Sequence, residues 1–349
     1  MIAPRGPARV AVVGSGAWGT TLAAIIARRE PVILLCRSAA TAKVIAASGR
    51  NEARLPGIDL PPELRATADP AALVEATDVV LFAVPSRHLR ETVARVAEAL
   101  APTADLVSVT KGLEAGTLRR MSEILTEEAG ADGERVVALS GPNLAPEIAR
   151  GLPASAVVAG REGPAARVQR RLGRRRFRLY VNEDIVGVEL GGALKNVIAI
   201  AAGAVDELGF GDNGKAGLMT RGLAEMTRLG IAAGANPLTF AGLAGLGDVI
   251  ATCGSPLSRN HRLGVELARG RRWADIEASL PGVAEGAYTV DAAIALGDRH
   301  GVELPIAAQV HAALYEGKPV VRCLVDLLAR EQKDELADYR AWVSGLGRS

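Results

Sequence analysis

The sequence predicts an α/β chain: an N-terminal doubly wound sheet followed by an all-α domain. Three observations lead there. Short apolar runs of strand length alternate with helical periods as far as about residue 182. The β pattern then stops, and helical periods dominate the remainder. The length of 349 residues corresponds to about two domains. The boundary is therefore expected near residues 182–188, with 1–184 in the first domain and 185–349 in the second.

Hydrophobic residues make up 49% of the chain but aromatics only 3%, so the core must be built from Ala, Val, Leu and Ile. A net charge of +2 supplies no basic footprint for nucleic acid or an anionic membrane. Cys36, Cys253 and Cys323 lie far apart and form no CxxC pair. No disulfide framework or metal site is expected, which fits a reducing cytosol. The first nine residues hold no apolar run of the kind a secretory signal needs. A soluble cytoplasmic protein is the expectation.

In chain order, Arg9–Val13 reads as a buried parallel strand. It runs into Gly14-Ser15-Gly16-Ala17-Trp18-Gly19 and an alanine-rich helix to about Arg29. Strand, GxGxxG and helix together form the dinucleotide fingerprint of a Rossmann-type domain. Gly14 permits the turn, Gly16 lets backbone amides approach a pyrophosphate, and Gly19 lets helix and strand pack closely. The anion sits at the positive helix N-terminus. The second strand, Val32–Cys36, ends in Arg37-Ser38. An NAD-selective site usually places an acid there, whereas an arginine can pair with a 2′-phosphate or be a solvated strand end.

Val79–Val84, Leu106–Val109 and Arg135–Leu139 are further strands, ending in Pro85-Ser86, Thr110-Lys111-Gly112 and Ser140-Gly141-Pro142. Ligands bind at the carboxyl ends of such strands, so Lys111 is expected to face cofactor or substrate. Asn51 to Leu64, with Leu55-Pro56-Gly57 and Pro61-Pro62, reads as a loop. The basic run Arg170–Arg178 spans a helix end and the start of the strand Phe177–Val181 and reads as a solvated face.

In the C-terminal half, Glu189 to Val205 carries a single charge after Glu189, Lys195, among small and apolar residues. It reads as a buried helix, too short and too glycine-rich for a membrane span. A buried lysine is costly unless it snorkels, pairs with a carboxylate or works chemically. Gly214 to Gly234 reads as a helix with Lys215, Arg221, Glu225 and Arg228 on its polar face. Ala241 to Asp248 has too many glycines for a stable helix interior. It reads as a loop that brings backbone close to a ligand or another segment. Asp248 ends it, either as an N-cap or as a functional acid. Ser258-Arg259-Asn260 opens a helix, and an arginine beside exposed amides suits a phosphate. Glu285, at the start of another helix, could bond a ribose or an amide, or simply favour that helix start.

Taken together, these motifs resemble bacterial NAD(P)-dependent glycerol-3-phosphate dehydrogenase. The matching segments are Gly14–Gly19, Val84–Ser86, Thr110–Gly112, Ser140–Pro142, Gly191–Asn196, Ala244–Asp248, Ser258–Asn260 and Val283–Gly286. The resemblance implies reversible hydride transfer between NADPH or NADH and dihydroxyacetone phosphate, giving sn-glycerol 3-phosphate for phospholipid synthesis. It implies that Lys195 is the general acid, with Asp248 orienting it. Lys111, Gly141 and Asn143 would line the substrate, and Ser258, Arg259 and Asn260 would hold its phosphate. Ala17, Trp18, Arg37, Lys111, Ala145, Arg259, Val283 and Glu285 match cofactor-contacting positions. A homodimer is also implied. Three positions depart from the family pattern. Asn143-Leu144 replaces a common Ser or Thr followed by Phe, Pro146 replaces Lys or Glu, and Arg54 replaces an aromatic. The competing readings are a two-domain dehydrogenase of a small hydroxy acid and a catalytically silent NADPH-binding regulator.

Overall fold

The computed structural model describes residues 8–280 and 282–331. In the first part the elements are β1 (Val10–Val13), α1 (Ala17–Ala27), β2 (Val32–Leu35), α2 (Ala39–Ser48), β3 (Leu64–Thr67), β4 (Val79–Phe82), α3 (Leu89–Val96), β5 (Asp105–Ser108), α4 (Met121–Ala129), β6 (Val136–Ser140), α5 (Ala145–Ala149), β7 (Ala154–Ala159), α6 (Glu162–Leu172) and β8 (Phe177–Asn182). The strands form one sheet in the order β3-β2-β1-β4-β5-β6-β7-β8. All neighbours are parallel except β6 and β7. Strands β1, β2 and β4 are buried throughout, so they read as unbroken apolar runs, as strands covered on both faces must. One apolar cluster lies on each face.

The remaining elements are helical: α7 (Ile185–Glu207), α8 (Gly211–Ala232), α9 (Pro237–Phe240), a π-turn at Leu243–Gly247, α10 (Asp248–Gly254), α11 (Arg259–Ala268), α12 (Trp273–Ser279), α13 (Glu285–His300), α14 (Pro305–Tyr315) and α15 (Val320–Leu328). Helix α7 is the axis of this half, and α8, α10, α11 and α13 pack on it. Every residue from Gly187 to Val205 is buried. By length and apolarity α7 could cross a membrane, but 89% of its apolar window is packed inside the protein, as in a core helix.

Three sequence expectations change. Ala241–Asp248 is not a loop. Gly245 and Gly247 sit in the π-turn and Gly242 just before it; a Cβ at Gly245 would lie 2.1 Å from the Phe240 carbonyl oxygen. The turn runs straight into α10, so Asp248 caps nothing and its carboxylate is free for other partners. Glu225 does not lie on a polar face. It is buried, and its two oxygens accept the N–H groups of Ile306 and Ala307 at 2.9 and 3.0 Å, capping α14 from across the bundle. The basic run is solvated only in part. Arg170, Arg175, Arg176 and Arg178 are exposed, whereas Arg171 pairs with Glu30 and Asp78, and Arg174 donates to the carbonyls of Arg171, Gly173 and Ile25. Strands β3 and β7 carry no strong local signal: β3 is half-exposed at the sheet edge, and β7 is a short run of small residues.

Candidate active site

The dinucleotide cleft lies at the carboxyl ends of β1 and β2. Gly14 has φ +110°, which a residue with a side chain rarely adopts, and its N–H donates to the Leu35 carbonyl at 2.9 Å. A Cβ at Gly19 would fall 2.0 Å from the Gly14 oxygen, so α1 closes on the turn only because that atom is missing. At Gly16, the N-cap of α1, a Cβ would meet nothing within 4 Å. The loop is thus shut towards the sheet and open at the helix N-terminus, which suits a pyrophosphate. Ser15, Ala17 and Trp18 line the same loop. Trp18 packs edge-on against Phe177 at 6.1 Å. Ala145 opens α5, and its carbonyl accepts from Thr21 at 3.3 Å, which ties α5 to α1 beside the cleft. Arg37 stands exposed just beyond β2.

The buried lysine lies beside the carboxyl ends of β5 and β6. Gly192 brings α7 against the sheet: a Cβ there would come 2.5 Å from Ser140 Oγ and 3.4 Å from the Lys111 stem. One turn further along α7, Lys195 Nζ donates to Thr252 Oγ1 at 2.7 Å and lies 3.1 Å from Asp248 Oδ1. Thr252 in turn donates to Asp248 Oδ1 at 3.0 Å. The other Asp248 oxygen accepts from Lys111 Nζ at 2.5 Å, and Lys111 also donates to the Gly141 carbonyl at 2.8 Å. Two cations therefore share one carboxylate. Burial pushes the Lys195 ammonium down to about 8; the Asp248 charge opposes that shift and the Lys111 charge adds to it. Burial alone would raise Asp248, but the two ammonium groups outweigh it and hold the carboxyl below its ordinary value.

Thr252 was not singled out in the sequence. The signal was its i+4 spacing from Asp248, which places both side chains on one face of α10.

Ser258 caps α11 by accepting the His261 N–H at 3.2 Å. Asn260 donates to Asn196 Oδ1 at 2.8 Å and accepts the Gly286 N–H at 2.9 Å, which locks α11, α7 and α13 together next to Lys195. Burial lowers the Arg259 guanidinium; Glu285 opposes this and the Arg54 charge adds to it. Glu285 accepts from Ser86 Oγ at 2.5 Å and so bridges α13 to the end of β4; Val283 lies just before it. Burial raises its carboxyl, against the Ser86 bonds and the Arg259 charge. The side-chain oxygen and nitrogen of Asn143 are buried with no hydrogen-bond partner among the described residues.

A dinucleotide fingerprint after β1 and a buried lysine–carboxylate pair beside the ends of β5 and β6, at the same carboxyl edge of the sheet, are the features of an NAD(P)-dependent dehydrogenase. Comparison with known proteins narrows the class. Family models described as the N-terminus and the C-terminus of NAD-dependent glycerol-3-phosphate dehydrogenase match residues 9–166 and 184–325. The chain belongs to that family. It is 46% identical over 331 residues to "Glycerol-3-phosphate dehydrogenase [NAD(P)+]" of Streptomyces avermitilis, covering 94% of this chain and 98% of the relative. It is 48% identical over 303 residues to a second such protein from Sphingopyxis alaskensis, covering 86% and 90%. Among solved structures, glycerol-3-phosphate dehydrogenase from Coxiella burnetii superposes with a TM-score of 0.87 at 36% identity, covering 92% of this chain and 98% of that one.

Proposed function

We propose that the chain reversibly reduces dihydroxyacetone phosphate to sn-glycerol 3-phosphate with NADPH or NADH, feeding glycerophospholipid synthesis. The observation that carries this reading is Lys195, buried and tied to Asp248 beyond the carboxyl edge of the sheet, with its ammonium poised near pH 8. The reduced dinucleotide, when bound, supplies the hydride to the ketone carbon. Lys195 donates a proton to the ketone oxygen as its charge develops and takes a proton back in the reverse direction. Asp248 and Thr252 orient the ammonium, and Asp248 keeps it protonated near neutrality.

Lys111, Gly141 and Asn143 line the substrate; Ser258, Arg259 and Asn260 hold its phosphate. The cofactor rests on Gly14, Ser15, Gly16, Ala17, Trp18 and Gly19, with Arg37, Lys111, Ala145, Arg259, Val283 and Glu285 around it. The division into a dinucleotide domain, 1–184, and a substrate domain, 185–349, belongs to the same reading. It is supported by the end of the sheet at Asn182 and the start of α7 at Ile185. So does a homodimer working in the cytoplasm, for which the family resemblance is the support.

The test is loss of NADPH absorbance on adding dihydroxyacetone phosphate, beside NADH, with unphosphorylated dihydroxyacetone as control. Oxidation that requires the phosphate is expected. Cofactor binding without oxidation would assign the cleft to another substrate, such as a small hydroxy acid.

A further inference from the structure

Glu189 is a buried carboxylate on α7 that the proton transfer itself does not use. Its oxygens accept the Ser122 N–H at 2.8 Å, the Ser122 hydroxyl at 2.5 Å and Arg120 Nη1 at 2.7 Å. Arg120 is the N-cap of α4 and Ser122 lies in its first turn, so the carboxylate sits on the positive end of a helix from the sheet half. Along α7, Glu189, Gly192 and Lys195 recur at three-residue steps and share one side of the helix. That side meets in turn the start of α4, the Ser140 and Lys111 side chains beside Gly192, and Asp248.

The other end of the Glu189 contact leads to Lys111. Arg120 pairs with Leu113, two residues beyond Lys111, across an antiparallel bridge. Between them the chain doubles back: the Glu114 N–H donates to the Arg119 carbonyl and the Leu118 N–H to the Glu114 carbonyl, both at 3.0 Å. Leu118 sits at φ +62°, left-handed backbone that a leucine rarely adopts, so the closure has to be held from outside. On one side Arg90 of α3 grips both oxygens of Glu114, at 2.7 and 2.8 Å. On the other, Glu189 grips Arg120, and Leu113 is buried in the same apolar cluster as Leu190 and Leu194 of α7. Lys111 therefore precedes a short strained closure that is anchored on the helix carrying Lys195.

We propose that Glu189 is a positioning residue: it sets Lys111 at the distance from Lys195 at which both ammonium groups share Asp248. Glu189 touches neither lysine and acts through Arg120 and the Leu113–Arg120 closure. Without its charge Arg120 keeps only the more exposed Glu123, at 3.4 Å; the closure then relaxes around Leu118 and Lys111 moves off the Asp248 carboxylate. The proposal deepens the dehydrogenase reading and rests on it for the role of the two lysines.

The test uses the full chain and two readouts. The first is amide hydrogen exchange over residues 110–122, which needs no turnover. Glu189→Gln is expected to speed exchange there about tenfold or more, whereas Glu225→Gln, at a buried carboxylate bonded to α14, is expected to leave it unchanged. Unchanged exchange in Glu189→Gln would overturn the proposal. The second is a double-mutant cycle in kcat/KM for dihydroxyacetone phosphate, built from Glu189→Gln and Lys111→Met. Glu189→Gln alone is expected to cost about tenfold, but less than about twofold when added to Lys111→Met. The same tenfold loss in both backgrounds would make Glu189 a structural cap only and overturn the proposal. Arg120→Gln breaks the pair from its half-buried side and is expected to reproduce both effects, which keeps the test open if Glu189→Gln does not fold. An Arg120→Gln chain that matches wild type in both readouts would also overturn the proposal. Exchange reports on the closure even if dihydroxyacetone phosphate is not turned over, so failure of the substrate assignment is read separately.

Discussion

The sheet half and the helical half of this molecule handle charge in opposite ways. Among the described residues of the sheet half, one charged side chain is buried, Asp105, and both its oxygens are met by Arg167 at 2.7 Å. The helical half buries Glu189, Lys195, Glu225 and Asp248. The sheet half presents its cofactor loop through backbone: a turn, a helix N-terminus and missing Cβ atoms. The helical half presents side chains whose proton affinities have been moved by burial. A site that must hold an anion can be built from amides. One that must move a proton needs a titratable group taken out of water. The cleft between them combines both.

The contrast can be broken at its strongest point first. Lys195→Ala is expected to lower kcat about a hundred- to ten-thousandfold while NADPH titrations stay near wild type, because Lys195 is not among the residues proposed to hold the dinucleotide. Parallel loss of cofactor binding would mean that the halves do not divide the work in this way. Next, Thr252→Val removes the hydroxyl that holds the ammonium and leaves the volume nearly unchanged. A kcat loss of about tenfold is expected, with KM for the ketone phosphate moving less. A change in KM alone would move Thr252 into substrate binding.

The smallest expected effect concerns stability. Burial pushes the Glu225 carboxyl up to about 7, against the two amide bonds that favour its charged form. The folded value lies above the unfolded one, so the folded chain binds the proton more tightly. The stability this adds is complete below about pH 4.5 and is lost as pH rises through about 7, by about 3 kcal/mol in all. Glu225→Gln should flatten that slope in denaturant melts between pH 5 and 8. A slope of the same size in the variant would remove Glu225 as its source.

Legibility in the sequence followed the same division. The strands β1, β2, β4, β5 and β6 showed as apolar runs because a doubly covered strand has to be apolar, β8 showed as an alternating edge strand, and Gly14 to Gly19 showed because backbone geometry dictates glycine there. Strand β7 was missed because its antiparallel pairing with β6 is a tertiary fact with no local turn signal. In the helical half the residues near Lys195 were found through the family motifs, since no periodicity distinguishes a working lysine from a paired one. Glu225 looked like a surface acid because its spacing fits a polar face. What buries it is the N-terminus of α14, some eighty residues further on. The glycines of the π-turn looked like a loop because helix propensity penalises them, while the real constraint, at Gly245, is contact with the Phe240 backbone.

The most direct measurement is the pH profile of ketone phosphate reduction by wild type and Asp248→Asn. Reduction needs the protonated lysine, so wild-type kcat/KM should fall as pH rises through about 8. Asp248 is the charge that keeps the Lys195 proton on, so the asparagine variant should show the same fall at lower pH, displaced by about one unit or more. A wild-type profile flat to pH 10, or a limb that stays in place in Asp248→Asn, would contradict the role given to Lys195.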